Sequence, residues 1–153
     1  MTRSSWCAED RLPARSPEWN FSPRTLTSWT FHSGVPDEQR KPLPMLQTDY
    51  VVPTDARNRA KAGSTVTIDL TVRHQDDLTG LHPSGARVWT SYDDGLTWKP
   101  AAKVTDRGQG RYAVAVHHPA VQNNNGFVDL RIQAWDDAGN SVTQTVDRAY
   151  GLR

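Results

Sequence analysis

The stretch TVTIDLTV, Thr65–Val72, alternates polar and apolar side chains without a break. Successive side chains of an extended chain point to opposite faces. Val66, Ile68, Leu70 and Val72 therefore share one face, and Thr65, Thr67, Asp69 and Thr71 share the other. A strand that is dry on one side and wet on the other belongs in an antiparallel sheet.

The same reading extends along the chain. RYAVAVHH (Arg111–His118) turns Tyr112, Val114 and Val116 inward, and FVDLRIQAWD (Phe127–Asp136) does so with Val128, Leu130, Ile132 and Ala134. In ARVWTSY (Ala86–Tyr92), Ala86, Val88, Thr90 and Tyr92 lie on one face and Trp89 on the other. TWKPAAKV (Thr97–Val104) reads as its return strand, and SVTQTVDRAYGL (Ser141–Leu152) as the last. TLTSWTF (Thr25–Phe31) and MLQTDYVV (Met45–Val52) are two earlier strands, the second stopped by Pro53. Between them lie the proline-broken loop Gly34–Pro44, the polar connection Thr54–Gly63, the long loop His74–Gly85 and the loop QNNNG, Gln122–Gly126. No segment has the apolar stripe of an amphipathic helix. About eight short strands with Gly, Asp and Asn turns predict an all-β fold, an immunoglobulin or fibronectin type III-like antiparallel β-sandwich. Val142 and Val146 complete its inner faces.

The chain of 153 residues suits one domain with a real core. Residues 1–22 are rich in Arg, Ser, Pro and Glu and are expected to be a disordered lead-in. Residues 23–153 are expected to form the sandwich, with N-terminal strands in 23–64 and the main body in 65–153. Trp6, Trp19 and Phe21 are unusual in such a lead-in and suggest docking on a neighbouring domain. The net charge of +1 leaves no overall electrostatic footprint for nucleic acid or an anionic membrane. The apolar runs are too short for a membrane helix, and the start lacks the apolar centre of a signal peptide. An extracellular location is expected if an exported parent carries the chain. The single cysteine, Cys7, makes no internal disulfide, and no Cys/His set has zinc spacing, so no cofactor or metal is expected.

Two short motifs sit in turns. SYDDGLTW (Ser91–Trp98) fits Ser-x-Asp-x-Gly-x-Thr-Trp, the Asp-box. That motif is known from sialidase-like β-propellers, but it occurs once here, and a propeller needs about four or more blades. Its chemistry reads as local: Asp93 accepts hydrogen bonds from the turn, Gly95 supplies a backbone conformation other residues resist, and Trp98 packs over the hairpin. In WDDAGN (Trp135–Asn140), Asp137, Gly139 and Asn140 read as a tight turn. A calcium ion there would need about six oxygens, more than the loop offers. Of the histidines (His32, His74, His82, His117 and His118), adjacent His117 and His118 face opposite ways, and all five read as surface or strand-end residues. No Gly-x-Ser-x-Gly, His-Glu-x-x-His or phosphate loop is present, so no catalytic residue is nominated. ARNRAK (Ala56–Lys61) reads as a solvated connection or a docking edge, and NFS (Asn20–Ser22) is a formal glycosylation sequon.

Three stretches carry a family resemblance: PLPMLQTDYVVPTDARNRA (Pro42–Ala60), ARVWTSYDDGLTW (Ala86–Trp98) and LRIQAWDDAGNSVTQTVDRAYGL (Leu130–Leu152). As an ordered set they resemble the C-terminal region of large secreted subtilisin-like serine peptidases of soil bacteria. The family's Asp-Thr/Ser-Gly, His-Gly-Thr-His and Gly-Thr-Ser-Met-Ala motifs do not occur in this sequence. The resemblance therefore implies the accessory β-sandwich and a protease-domain partner, with no catalytic residue carried over. The alternative expectation is a polysaccharide- or cell-surface-binding module using Trp89, Trp98 and Trp135 as stacking platforms. A sialidase-class enzyme has one motif copy and too few residues behind it.

Overall fold

The alternation of Thr65–Val72 is realised as the middle of a longer strand in the computed structural model, which describes residues 2–11, 21–33, 43–75, 78 and 80–153. That strand runs Thr65–His74, and its Ile68, Leu70 and Val72 are each 1% exposed. In chain order the described strands are β1 (Thr2–Arg11), β2 (Arg24–Ser33), β3 (Leu46–Val51), β4 (Arg59–Ala60), β5 (Thr65–His74), β6 (Pro83–Ser91), β7 (Lys99–Pro100), β8 (Lys103–Asp106), β9 (Arg111–His117), β10 (Phe127–Asp136) and β11 (Ser141–Leu152). A 3-10 turn, Val121–Asn123, falls in the loop before β10.

Two sheets form. The larger has the order β1-β2-β11-β10-β6-β7, with β4 added in parallel along the end of β11. The smaller has the order β3-β5-β9-β8. All other pairings are antiparallel. The inward faces meet in one core, where Leu46, Ile68, Leu70 and Val114 from the smaller sheet oppose Val88, Leu130, Ile132 and Val142 from the larger. The chain is thus an all-β antiparallel sandwich of immunoglobulin/fibronectin type III-like class.

Several sequence expectations change. Residues 1–22 are not a structureless lead-in throughout: Thr2–Arg11 pairs with β2 along its whole length, from Thr2 opposite Ser33 to Arg11 opposite Arg24. The open edge of β2 offers a row of unpaired amides and carbonyls, and pairing with them overrides a polar composition. Residues 12–20, with Trp19 and the first residue of the sequon, lie outside the described residues, as do 34–42 of the proline-broken loop. The N-terminal strands join both sheets, β2 pairing with β11 and β3 with β5.

Thr97–Val104 is not one return strand. Lys99–Pro100 pairs with β6 in the larger sheet, then Lys103–Asp106 pairs with β9 in the smaller. The switch is visible in consecutive amides: that of Ala101 donates to Val88 (2.8 Å) and that of Ala102 to Ala115 in the other sheet (2.9 Å). Pro100 has no N–H to donate, which suits it to a short edge strand where pairing stops. ARNRAK is more than a solvated connection, because Ala60 is buried beside β11 and accepts the amide of Arg153 (3.0 Å).

Leu130 lies fully buried on β10, between both sheet neighbours and the opposing sheet. Leu130→Ala should lower the unfolding free energy by about 2–5 kcal/mol through lost contacts and a residual cavity. Urea denaturation should show a lower midpoint with an unchanged slope.

Candidate functional site

The outward face of the larger sheet collects aromatic and basic side chains. Because paired residues of an antiparallel ladder share a face, the register places Trp135 beside Gly85, Gln133 beside Arg87, and Arg131 beside Trp89. Trp89 is in turn opposite Pro100, which carries Trp98 to the same side. On β11 the same face continues as Ser141, Thr143 and Thr145. The three candidate stacking residues Trp89, Trp98 and Trp135 thus come together on one face, each half-buried. The Arg131 guanidinium lies 4.0 Å from the centre of the Trp98 ring and that of Arg87 lies 5.5 Å from Trp135, a cation–π arrangement. Trp135 lies flat because residue 85 is glycine: a Cβ there would run into the indole.

The Ser91–Trp98 hairpin closes one end of this face. Asp93 Oδ1 accepts the amide of Thr97 (2.9 Å) and the hydroxyl of Ser91 (2.8 Å), while Oδ2 accepts the Thr97 hydroxyl. These donors, the Thr97 hydroxyl foremost, hold the Asp93 carboxyl down at about 2. Ser91 Oγ also accepts the amide of Gly95 (2.9 Å), and Gly95 takes φ 82. A Cβ on Gly95 would stand 3.7 Å from the Trp98 ring, so the indole lies over the hairpin.

The second turn lies at the opposite end of β6. The sequence points to Asp137, Gly139 and Asn140, and the residue that closes the turn is Asp136. Its Oδ1 accepts the amides of Ala138 (2.9 Å) and Asn140 (2.8 Å). Its Oδ2 accepts the Asn140 side-chain amide (2.7 Å) and faces His74 Nε2 (3.0 Å), with the Asp136 and His74 side chains nearly or wholly buried. Asn140 passes the constraint on by accepting the amide of His32 on β2 (3.1 Å). Gly139 takes φ 83, as a tight turn requires. Asp137 is exposed and holds His82 through backbone and ring. The carboxylate oxygens that would recommend a calcium reading are therefore engaged within the protein. Among the described residues, no three His, Cys, Asp or Glu side chains gather as a metal site.

The histidines divide. His117 is exposed, whereas His118 is completely buried between the sheets, not at the surface. Its Nδ1 is 3.0 Å from the Tyr92 hydroxyl and its Nε2 is 3.5 Å from that of Tyr150. A neutral imidazole protonated on Nδ1 satisfies this set: Nδ1–H donates to Tyr92, whose hydroxyl donates to the His117 carbonyl (3.3 Å), and Tyr150 donates to Nε2. Burial, and then the neighbouring His117, push the His118 imidazole down from 6.5 to about 4.

Ser91, Asp136, the His74 partner and the His118 cluster were not readable as such. The one available signal was the spacing Asp136–Asn140, which repeats the Asp93–Thr97 carboxylate-to-amide step of four residues. No known family profile, curated protein or solved structure matches the chain.

Asp136→Ala should cost about 3 kcal/mol, because it strands buried amides and the His74 ring. Asp137→Ala, at an exposed position, should move the denaturation midpoint far less; equal losses would contradict the assignment. A second outcome concerns pH. The depressed His118 value gives stability that is complete above 6.5 and is lost as pH falls toward 4, since only the unfolded chain takes the proton early. From about pH 7.5 to about pH 5 this contribution should fall by about 2 kcal/mol. His118→Phe should flatten that slope.

Proposed function

We propose that this chain is a non-catalytic accessory β-sandwich module that packs on, or sets the orientation of, a subtilisin-like serine peptidase domain and works outside the cell with it. The observation that carries the reading is where the three family-like stretches fall. Pro42–Ala60 contains β3 and β4, Ala86–Trp98 covers most of β6 and the Asp-box, and Leu130–Leu152 covers most of β10 and β11. Strands β6, β10 and β11 are adjacent, and β4 joins β11. Most of the resemblance thus falls on neighbouring strands of the larger sheet, with β3 in the opposing one. The groups best suited to chemistry also have internal tasks: Asp93 and Asp136 close turns, and His118 is sealed between two tyrosines.

A second reading, a polysaccharide- or cell-surface-binding module, is favoured by a different observation. Trp89, Trp98 and Trp135 share the solvent-facing side of one sheet rather than entering the core.

The accessory reading is tested with the purified chain and a fluorophosphonate probe that labels active serine hydrolases. No labelling and no casein hydrolysis are expected, and an upstream reading frame in phase should encode the Asp, His and Ser motifs. Labelling of the pure chain would overturn it.

A further inference from the structure

We infer that the outward face of the larger sheet, around Trp89, Trp98 and Trp135, binds a polysaccharide containing uronic acid; the inference rests on the second reading above and specifies its ligand. Two guanidiniums, Arg87 and Arg131, sit among the indoles on that face. Trp89 is the ladder partner of Arg131, and Arg87 is two residues from Trp89 along β6, so the two charges are diagonal neighbours across adjacent strands. Among the described residues neither guanidinium has a carboxylate partner; Arg131 Nε donates only to the Thr145 hydroxyl (3.3 Å). The carboxylates around the rim are engaged elsewhere: Asp147 with Arg24 (3.1 Å), Asp94 with Arg148 (3.1 Å) and Asp137 with His82 (3.2 Å). Between these charges the face carries Gln133, Thr143 and Thr145, and Asp129, two residues before Arg131 on β10, is buried and accepts the amide of Arg148 (2.7 Å).

This combination selects one ligand chemistry. A guanidinium laid on an indole uses its π face for that contact and keeps in-plane N–H donors for a carboxylate. Planar carboxylates accept two such donors side by side. With a guanidinium over Trp98 and over Trp135, the apolar surface left for the C–H face of a pyranose ring is that of Trp89 and the outer edges of the two covered indoles. A uronic acid carries both complements on one sugar. A sheet face suits an extended chain of such units.

The test uses the whole chain and calorimetric titration with oligogalacturonate, its methyl ester, dextran sulfate and a neutral xylan. The expected result is binding to oligogalacturonate that weakens with salt, and little binding to the methyl ester. The double change Arg87→Gln with Arg131→Gln should weaken it by about tenfold or more at unchanged melting temperature. Trp135→Ala should weaken it as well, which a merely electrostatic attraction would not show. Equal binding of ester and acid, or binding to xylan alone, would sink the uronate assignment while leaving a carbohydrate-binding face. Equal binding of dextran sulfate, insensitive to Trp135→Ala, would reduce the face to a general polyanion contact and overturn the inference. Binding unaffected by any of these substitutions would place the site elsewhere, and no binding to any polymer would remove both this inference and the reading beneath it.

Discussion

The register of β10 is the constraint on which the rest of this protein depends. β10 is hydrogen-bonded on both sides, to β6 and to β11, and supplies Val128, Leu130, Ile132 and Ala134 to the core. Its other face presents Arg131, Gln133 and Trp135. Since side chains alternate at every residue, a slip of one position would bury the arginine and the tryptophan and expose the core. Two buried carboxylates, one near each end, oppose such a slip. Near the start, Asp129 accepts the amide of Arg148 (2.7 Å). There β11 carries extra residues, and Arg148 itself takes φ 50. At the far end, Asp136 closes the turn into β11 and grips His74 from the opposing sheet. Burial pushes the Asp129 carboxyl up, so this end is held against a desolvation cost that the Arg148 amide partly offsets.

The turns share one device. In Asp55, Asp93 and Asp136 a carboxylate accepts the amide four residues on, and Asp55 and Asp136 also accept the amide two residues on. Asp106 makes the two-residue version, to Gly108 (2.7 Å). A left-handed residue lies inside each of these loops: Asn58, Gly95, Gly139 and Gly108. The reason is geometric. A carboxylate can serve two amides only if the chain curls around it, and a positive φ supplies the curl. The Ser91–Trp98 turn is thus one version of a general solution in this chain.

The same architecture frees a surface. With the turns closed by internal carboxylates and the core filled by alternating aliphatic side chains, the outward face of β6 and β10 is not needed for folding in the same way. Trp98 and Trp135 each have a guanidinium over the ring and a glycine beneath it. The molecule therefore separates its stabilising polar groups, at strand ends and between the sheets, from the aromatic and basic face of β6 and β10.

The alternation in Thr65–Val72, Arg111–His118 and Phe127–Asp136 was enough to fix the all-β class and most of the inner faces, because period two is a local property of an extended chain. The roles of Asp93, Gly95 and Gly139 were equally local, since each acts within its own turn. What the sequence could not supply depended on pairing between distant segments. Thr2–Arg11 is polar and becomes a strand because β2 has an open edge. Thr97–Val104 splits because its two halves find partners in different sheets. His118 is buried because β9 ends between Tyr92 and Tyr150. Trp89, Trp98 and Trp135 form one face because β6, β7 and β10 lie side by side. Backbone periodicity is written residue by residue, whereas strand neighbours are chosen by the whole chain, and only the folded protein reveals that choice.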